Sequence, residues 1–281
     1  MKKQSVSFLS LLLTASSCFF SCNSILNKNT QSFQIDSIRV NQTEHLFQDT
    51  AKPACNLVIN FAYLKEATDS QAQDSLNNRF LTACFGEQAA GKTPQQAIEN
   101  YTRQYISDYR KDLEPMYQKE EKESETSDMP TGAWYSYYRN IESHVQSLSD
   151  DLLVYRFRFD EYTGGAHGVY MTTYLNIDLR TLKQLTLDDL FTDNYQEPLT
   201  ELLWNQLMED NNVGSRQELE ELGYGTSGEL TPTENFHISK EGVTFCYNIY
   251  EIAPYVMGAT EILLNWDLLK DIRNTQFELN L

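Results

Sequence analysis

The chain has 281 residues, a formal net charge of −18 at pH 7 and an aromatic content of 12%. This length suits one large domain or two small ones, and the Tyr and Phe content predicts a packed core and argues against disorder. The acidity excludes a protein built to hold nucleic acid or anionic lipid headgroups, and it favours cationic partners, although acidity can also serve solubility alone.

The N-terminus has the pattern of a bacterial lipoprotein signal peptide. Residues 1–3 are basic, residues 6–14 are apolar but too few to cross a bilayer, and small residues with two cysteines follow. A cysteine after a small residue is the lipobox pattern, in which the thiol receives the lipid. We prefer Cys22, because Cys18 would leave two phenylalanines on the mature N-terminus. An ordinary signal peptide without lipid is the alternative.

Residues 1–22 are therefore predicted to be the signal peptide, and residues 23–33, which lack apolar periodicity, a flexible tether. The signal holds two basic residues and no acidic one, so the remaining 259 residues carry a formal charge of −20. Asn23 follows Cys22, and it is not the Asp that often marks inner-membrane retention. We expect attachment to the cell envelope through a lipid anchor only, in the outer membrane of a diderm bacterium, facing the periplasm or the surface.

Apolar periodicity predicts two strands followed by two helices in the first part of the body. The second helix should begin with Thr93 as N-cap, Pro94 in the first helical position and Gln96 three residues after the cap. A charged run then reads as a solvated helix end and loop. The predicted ranges are strands around 33–38 and 57–63, helices over 70–85 and 94–113, and the charged segment over 119–130.

From Trp134 the period changes to two, which predicts antiparallel strands with one buried face. Because strands and helices come in runs, we predict an α+β fold in which an antiparallel sheet meander packs its helices on one face. We divide the body into an N-terminal α+β region over 34–175 and a C-terminal region over 176–281, packed together. The remaining predicted elements are strands over 153–159 and 169–179, helices starting at 198 and over 216–222, a hairpin over 236–255 with its turn at 240–242, and a strand over 259–266.

Cysteine and histidine positions argue against a disulfide scaffold and against a metal site. Only three cysteines lie outside the signal, so at most one bridge can form; a bridge between Cys55 and Cys84 and buried free thiols remain equal alternatives. The four histidines are far apart in sequence, and neither H-E-x-x-H nor C-x-x-C occurs. We expect no metal and no cofactor.

Other candidate catalytic motifs have structural interpretations. Residues 223–228 match G-x-G-x-x-G, but a helix precedes them and no helix follows, so we predict a loop and not a dinucleotide site. The nucleophile motif G-x-S-x-G is absent. Asp188 and Asp189 could serve as an acid–base pair, but carboxylates more often cap a turn or helix. The tyrosines of residues 134–138 could stack on sugars, but they more often pack a sheet face.

Three stretches carry a family resemblance: YTGGAHG at 162–168, NIDL at 176–179 leading into LTLDDLF at 185–191, and FCYNIYEIAPY at 245–255 followed by Gly258. Together they resemble the envelope domain of RsiV-type anti-sigma factors (DUF3298 type), and the preceding region is similar to the N-terminal part of PdaC-type peptidoglycan deacetylases. The resemblance implies an α+β fold without catalytic activity of its own and a domain that binds lysozyme. We expect no sigma-binding segment, no transmembrane helix and no deacetylase catalytic domain.

The glycine-rich turn and the third stretch are the predicted partner-binding surface. Glycines at 164, 165 and 168 would permit positive φ in a tight strand connection. His167 is either a buried, hydrogen-bonded turn residue or a surface contact. Glu251 should be a partly buried carboxylate that bonds to the glycine turn or to a partner. The predicted binding residues are Gly164, Gly165, His167, Tyr250, Glu251 and Tyr255.

Two functions follow. The first is a non-enzymatic envelope lipoprotein that binds a cationic envelope-directed protein such as lysozyme, or peptidoglycan. The alternative is a cell-wall glycan hydrolase or deacetylase accessory with an assembled carboxylate and His167 site.

Overall fold

The computed structural model describes residues 33–124 and 132–281. The predicted signal peptide, both candidate lipidation cysteines, nearly all of the tether and residues 125–131 lie outside these ranges. The strands are β1 Phe33–His45, β2 Ala54–Ala67, β3 Tyr137–Leu148, β4 Leu152–Tyr162, β5 Val169–Asp178, β6 Lys183–Gln184, β7 Phe236–Ile238, β8 Gly242–Tyr247 and β9 Thr260–Asn265. The helices are α1 Ser70–Phe85, α2 Pro94–Ser124, α3 Leu187–Leu190, α4 Gln196–Asp210, α5 Arg216–Leu222 and α6 Trp266–Leu269.

The first two helices begin at the predicted residues, of which the second was predicted from its capping pattern. The Asp69 side chain accepts a hydrogen bond from the Gln71 N–H at the start of α1. At the start of α2, Thr93 Oγ1 accepts from the Gln96 N–H, and the Gln96 side chain accepts from the Thr93 N–H, both at 3.3 Å. These reciprocal bonds satisfy donors that a helix N-terminus otherwise leaves unpaired.

The first six strands form one sheet in chain order, and β7, β8 and β9 form a second, three-stranded sheet. All neighbouring strands are antiparallel except β2 and β3, which run parallel. Parallel neighbouring strands need a long crossover connection, and here α1 and α2 form it between β2 and β3. The α+β class with a mostly antiparallel sheet is confirmed; the parallel pair, with its helical crossover, is an exception to the predicted antiparallel meander.

One core lies between α1, α2 and one face of the six-stranded sheet. Phe80 of α1 stacks on Tyr155 of β4 with ring centroids 3.8 Å apart, and both side chains are fully buried. The Tyr155 hydroxyl donates to the Ala62 carbonyl oxygen at 2.7 Å. The buried ring therefore adds apolar contact, while its polar tip keeps a partner.

The second sheet and α4 pack against the opposite face of the first sheet near the C-terminal end of β5. Three asparagines, which we call the asparagine seam (Asn176, Asn235 and Asn248), connect the sheets. The Asn176 side chain donates to the Phe236 carbonyl oxygen at 2.7 Å and accepts from the Ile238 N–H at 3.0 Å. Asn235 accepts from the Tyr174 N–H at 3.1 Å. Asn235 thus satisfies part of the free backbone edge of β5, where β6 pairs only with its last two residues, and Asn176 satisfies the edge of β7.

The structure bears on the predictions for the hairpin, the cysteines and the domain boundary. The hairpin turn at 240–242 is confirmed, but the strand ends at Tyr247, so the range 248–255 is wrong as a strand. Cys55, Cys84 and Cys246 are free thiols. The domain boundary after residue 175 falls inside β5, and the division stays a prediction. No helix within 33–124 or 132–281 has the length and apolarity to span a membrane.

Candidate partner-binding surface

The connection between β4 and β5 needs glycine for two different reasons. Gly164 and Gly165 have φ of +88° and +99°, a region that side chains with a Cβ rarely adopt. Gly168 does not have a positive φ; a Cβ there would lie 2.7 Å from the Glu161 carbonyl oxygen and 2.8 Å from the Tyr138 hydroxyl. Positive φ is therefore confirmed at two glycines and wrong at Gly168, which is required by close contact instead.

The segment after β8 is held against β5 by the asparagine seam. The Thr172 N–H donates to Asn248 Oδ1 at 2.7 Å, and the Asn248 amide returns a bond to the Thr172 carbonyl oxygen at 3.2 Å. The chain then passes Pro254 and forms a 3-10 turn over Tyr255–Met257. This connection places the 250–257 loop beside the glycine turn.

His167 joins the turn to the loop. Its ring stacks on Tyr255 with centroids 4.0 Å apart, and its Nε2 lies 3.1 Å from the Tyr250 hydroxyl. Its Nδ1 lies 2.9 Å from the Gly168 carbonyl oxygen, which can only accept, so Nδ1 carries the proton. In the neutral ring, Nε2 then accepts from the Tyr250 hydroxyl. The side chain of His167 is exposed, so its interpretation as a buried turn residue is wrong.

Further tyrosines extend this cluster. Tyr138 and Tyr162, opposite each other on β3 and β4, stack with centroids 6.2 Å apart, and Tyr170 meets Tyr255 edge-on at 6.4 Å. Burial, followed by the neighbouring Asp160, raises the pKa of Tyr138. We call Tyr138, Tyr162, His167, Tyr170, Tyr250 and Tyr255 the aromatic surface. Tyr138, Tyr162 and Tyr170 were not among the predicted binding residues, because their meeting depends on strand register.

The aromatic surface offers exposed rings and hydroxyl groups. Tyr250 is 48% exposed, and Val256, next to Tyr255 in the chain, is 89% exposed. Trp134, beside the glycine turn, is 52% exposed. Ring faces attract cations, sugars and other aromatic groups, and hydroxyls donate and accept hydrogen bonds. Among the described residues, the side chains that contact the His167 ring are those of Tyr250 and Tyr255.

Glu251 departs from its prediction. Its side chain is exposed, and its carboxylate accepts the Asn248 N–H at 2.8 Å, without a bond to the glycine turn. The Glu251 carboxylate thus stabilises the turn over residues 248–251. The prediction of a partly buried carboxylate is wrong.

The rejected motifs have the predicted structural roles. Asp189 closes a capping box with Thr186 at the start of α3, accepting its N–H at 2.8 Å, and Asp188 accepts from the Tyr195 hydroxyl at 3.1 Å. Gly223 ends α5 with φ +114°, and the Gly225 N–H donates to the Ile252 carbonyl oxygen at 2.7 Å. Within the described ranges, no group of three His, Cys, Asp or Glu side chains is placed to hold a metal.

Two family profiles match separate parts of the chain. Deacetylase PdaC matches residues 48–170, and a protein family of unknown function, DUF3298, matches residues 188–267. The glycine turn belongs to the first range and the 250–257 loop to the second, so the aromatic surface combines residues from both.

One curated relative is the peptidoglycan-N-acetylmuramic acid deacetylase PdaC of Bacillus subtilis, 24% identical over 140 residues. The match covers 49% of this chain, and the chain spans only 30% of that relative. A DUF3298 family protein from Pseudomonas aeruginosa shares the fold, with a TM-score of 0.57 and 18% identity over 86% of this chain and 95% of the other.

A solved member of the DUF3298 family from Bacteroides fragilis is much more similar. It is 54% identical, its TM-score is 0.84, and the match covers 88% of this chain and 96% of the other. Identity at this level over nearly the whole of both chains shows the family as well as the fold. This chain belongs to the DUF3298 family and includes a PdaC-like region.

Proposed function

We propose that this chain is a non-enzymatic binding protein of the cell envelope, and that its aromatic surface contacts a cationic envelope-directed protein, with lysozyme as the first candidate. The observation that carries the proposal is the contact of His167 with Tyr250 and Tyr255. This contact joins two segments more than 80 residues apart into one exposed patch. Exposed aromatic clusters of this kind serve as anchors in protein interfaces.

The charge of the chain supports a cationic partner. A formal charge of −18 would steer a basic protein toward the surface and speed encounter. Charge alone gives weak attraction, because exposed charges are screened beyond about 8 Å at physiological salt. A specific complex needs a packed contact of roughly 1,000 Å² or more, which the aromatic surface and its apolar neighbours would supply.

A peptidoglycan glycan is the second candidate ligand. The PdaC-like region supports it, as does the stacked pair of Tyr138 and Tyr162, since tyrosine rings can stack on sugar faces. The alternative of a glycan hydrolase or deacetylase accessory predicts turnover of the glycan as well as binding. Incubation with peptidoglycan fragments, followed by mass spectrometry of the products, separates binding from turnover.

Calorimetric titration of lysozyme tests the main proposal. We expect binding that persists at physiological salt and weakens at least tenfold in Tyr255→Ala. Tyr63→Ala is a matched control, because this half-buried tyrosine lies on β2, outside the aromatic surface. If the heat of binding vanishes on addition of salt, the interaction is bulk electrostatics. If both variants lose affinity equally, the loss reflects misfolding and not a contact at Tyr255. Either result would contradict the proposal.

We also propose that a lipid on Cys22 attaches the chain to a membrane of the envelope. Labelling with a fatty-acid probe should disappear in Cys22→Ala and persist in Cys18→Ala. The reverse pattern would assign the anchor to Cys18, and labelling of neither parent nor variants would reject lipidation.

A further inference from the structure

A groove of about 490 Å³ lies between α1 and the β5–β6 edge of the six-stranded sheet. Leu175 lies six residues along β5 from Val169, which is about 20 Å in a strand, so the groove is distinct from the aromatic surface. Its volume suits a small molecule. The residues that define it are Asn78, Arg79, Thr82, Glu87, Leu175 and Gln184.

Arg79 is the unusual member of this groove. Its Nε is buried and has no hydrogen-bond partner, and none of the ion pairs within the described ranges includes this residue. A buried donor on a charged group is costly to leave unpaired, and native structures usually supply a partner. Arg79 also lines the open groove, so an anionic ligand there would pair with a guanidinium that has no ion-pair partner within the described ranges.

The neighbouring polar groups are oriented by bonds of their own. Asn78 Oδ1 accepts the Gly91 N–H at 2.7 Å, which leaves the amide NH₂ as a donor. The Thr82 hydroxyl donates to the Asn78 carbonyl oxygen at 2.8 Å, which leaves its oxygen as an acceptor. Leu175 adds an apolar wall. The groove therefore combines one guanidinium with neutral polar groups and an apolar contact.

Glu87 limits the charge of the ligand. Glu87 lines the same groove as Arg79, so a doubly charged phosphate would be repelled by its carboxylate more than a singly charged acid. A guanidinium also matches the planar geometry of a carboxylate, with two parallel N–H donors for two oxygens.

We propose that this groove is a binding site for a small monocarboxylate, such as an N-acylated amino acid or a sugar acid. The carboxylate pairs with the Arg79 guanidinium, and the Asn78 and Gln184 amides contact the neutral polar part. This site is independent of the proposed function of the aromatic surface.

The arginine Nε–H resonances of the ¹⁵N-labelled protein test the proposal. The probes are N-acetylalanine, its neutral amide N-acetylalaninamide, and inorganic phosphate. We expect N-acetylalanine to shift one resonance saturably, and this resonance to be the one lost in Arg79→Gln. The neutral amide and phosphate should bind at least tenfold more weakly.

Two further variants keep the result interpretable. Arg103→Gln removes the same charge from an exposed position on α2, and it should leave binding unchanged. Glu87→Gln should raise the affinity for the acid severalfold, a gain that misfolding cannot produce. The proposal is overturned by an absence of saturable shifts, by an equal response to the acid and the amide, by tighter binding of phosphate, or by equal loss in Arg79→Gln and Arg103→Gln.

Discussion

The two ends of β5 differ in how their exposed surface is covered. From Thr172 toward the C-terminal end, the asparagine seam joins β5 to the second sheet, which covers the face. At the N-terminal end, Val169 is 37% and Met171 42% exposed, and the aromatic surface lies beside them. An unpaired strand edge invites association unless it is covered, and exposed apolar groups mark interaction sites. One end of the strand therefore contributes to the stability of the fold, and the other end lies at the surface that we propose for a partner.

Asn176→Ala should have the largest effect on stability. The substitution removes both bonds between the seam and β7, and it leaves the Phe236 carbonyl and the Ile238 N–H buried without partners. Each unpaired group costs about 1–3 kcal/mol, so the free energy of unfolding should fall by roughly 2–6 kcal/mol. Urea denaturation measures it. Asn140→Ala is the control, since Asn140 is exposed on β3 and should change stability by less than about 0.5 kcal/mol. Equal denaturation midpoints for the two variants would show that the seam does not stabilise the fold.

Gly165→Val should have a smaller effect, confined to the other end of β5. A Cβ at this position would meet no atom within 4 Å, so the cost comes from backbone conformation alone. A β-branched residue at φ +99° is strained by on the order of 1–3 kcal/mol. Thermal denaturation should show a lower midpoint than in Gly214→Val, where φ lies outside the left-handed region and a Cβ would meet only Glu218 Oε2, at 3.9 Å. If both variants melt at the same temperature, the turn does not depend on glycine.

The pH dependence of stability should show the smallest effect, and it concerns the end of β5 that the second sheet covers. Burial, reinforced by Arg156 and opposed by Glu261, lowers the pKa of His237, which packs on Tyr174. The unfolded chain therefore binds the proton more readily, so this contribution to stability is complete above the ordinary pKa of 6.5 and is lost as pH falls below it. Denaturation at pH 7.5 and 5.5 should show a smaller decline in His237→Gln than in the parent. An identical decline would place the titration elsewhere.

The sequence predicted local elements better than their arrangement. The bounds of α1 and α5 were predictable, because a capping side chain begins each helix and a glycine with positive φ follows each. The parallel pairing of β2 and β3 was not, since the order of elements does not reveal which side of β2 the chain returns to. The end of β8 was also missed, because the bonds that turn Asn248 toward Thr172 are long-range.

The candidate surface was predicted in part for a similar reason. The proximity of the glycine turn to the third stretch was expected from the resemblance, and the contact of His167 with Tyr255 agrees with it. Its other tyrosines depend on the register of β3, β4 and β5, which alternation alone does not fix. The Arg79 groove could not be predicted from the sequence, because a single arginine on a helix is usually a solvated surface charge.

Amide hydrogen exchange of the lysozyme complex tests the central claim most directly. The account predicts slower exchange on binding in two separate segments, residues 163–168 and 250–257, with little change in α1 or along the edge of β1. Protection at the acidic helix α5 without the two segments, or no protection at physiological salt, would contradict a partner site on the aromatic surface.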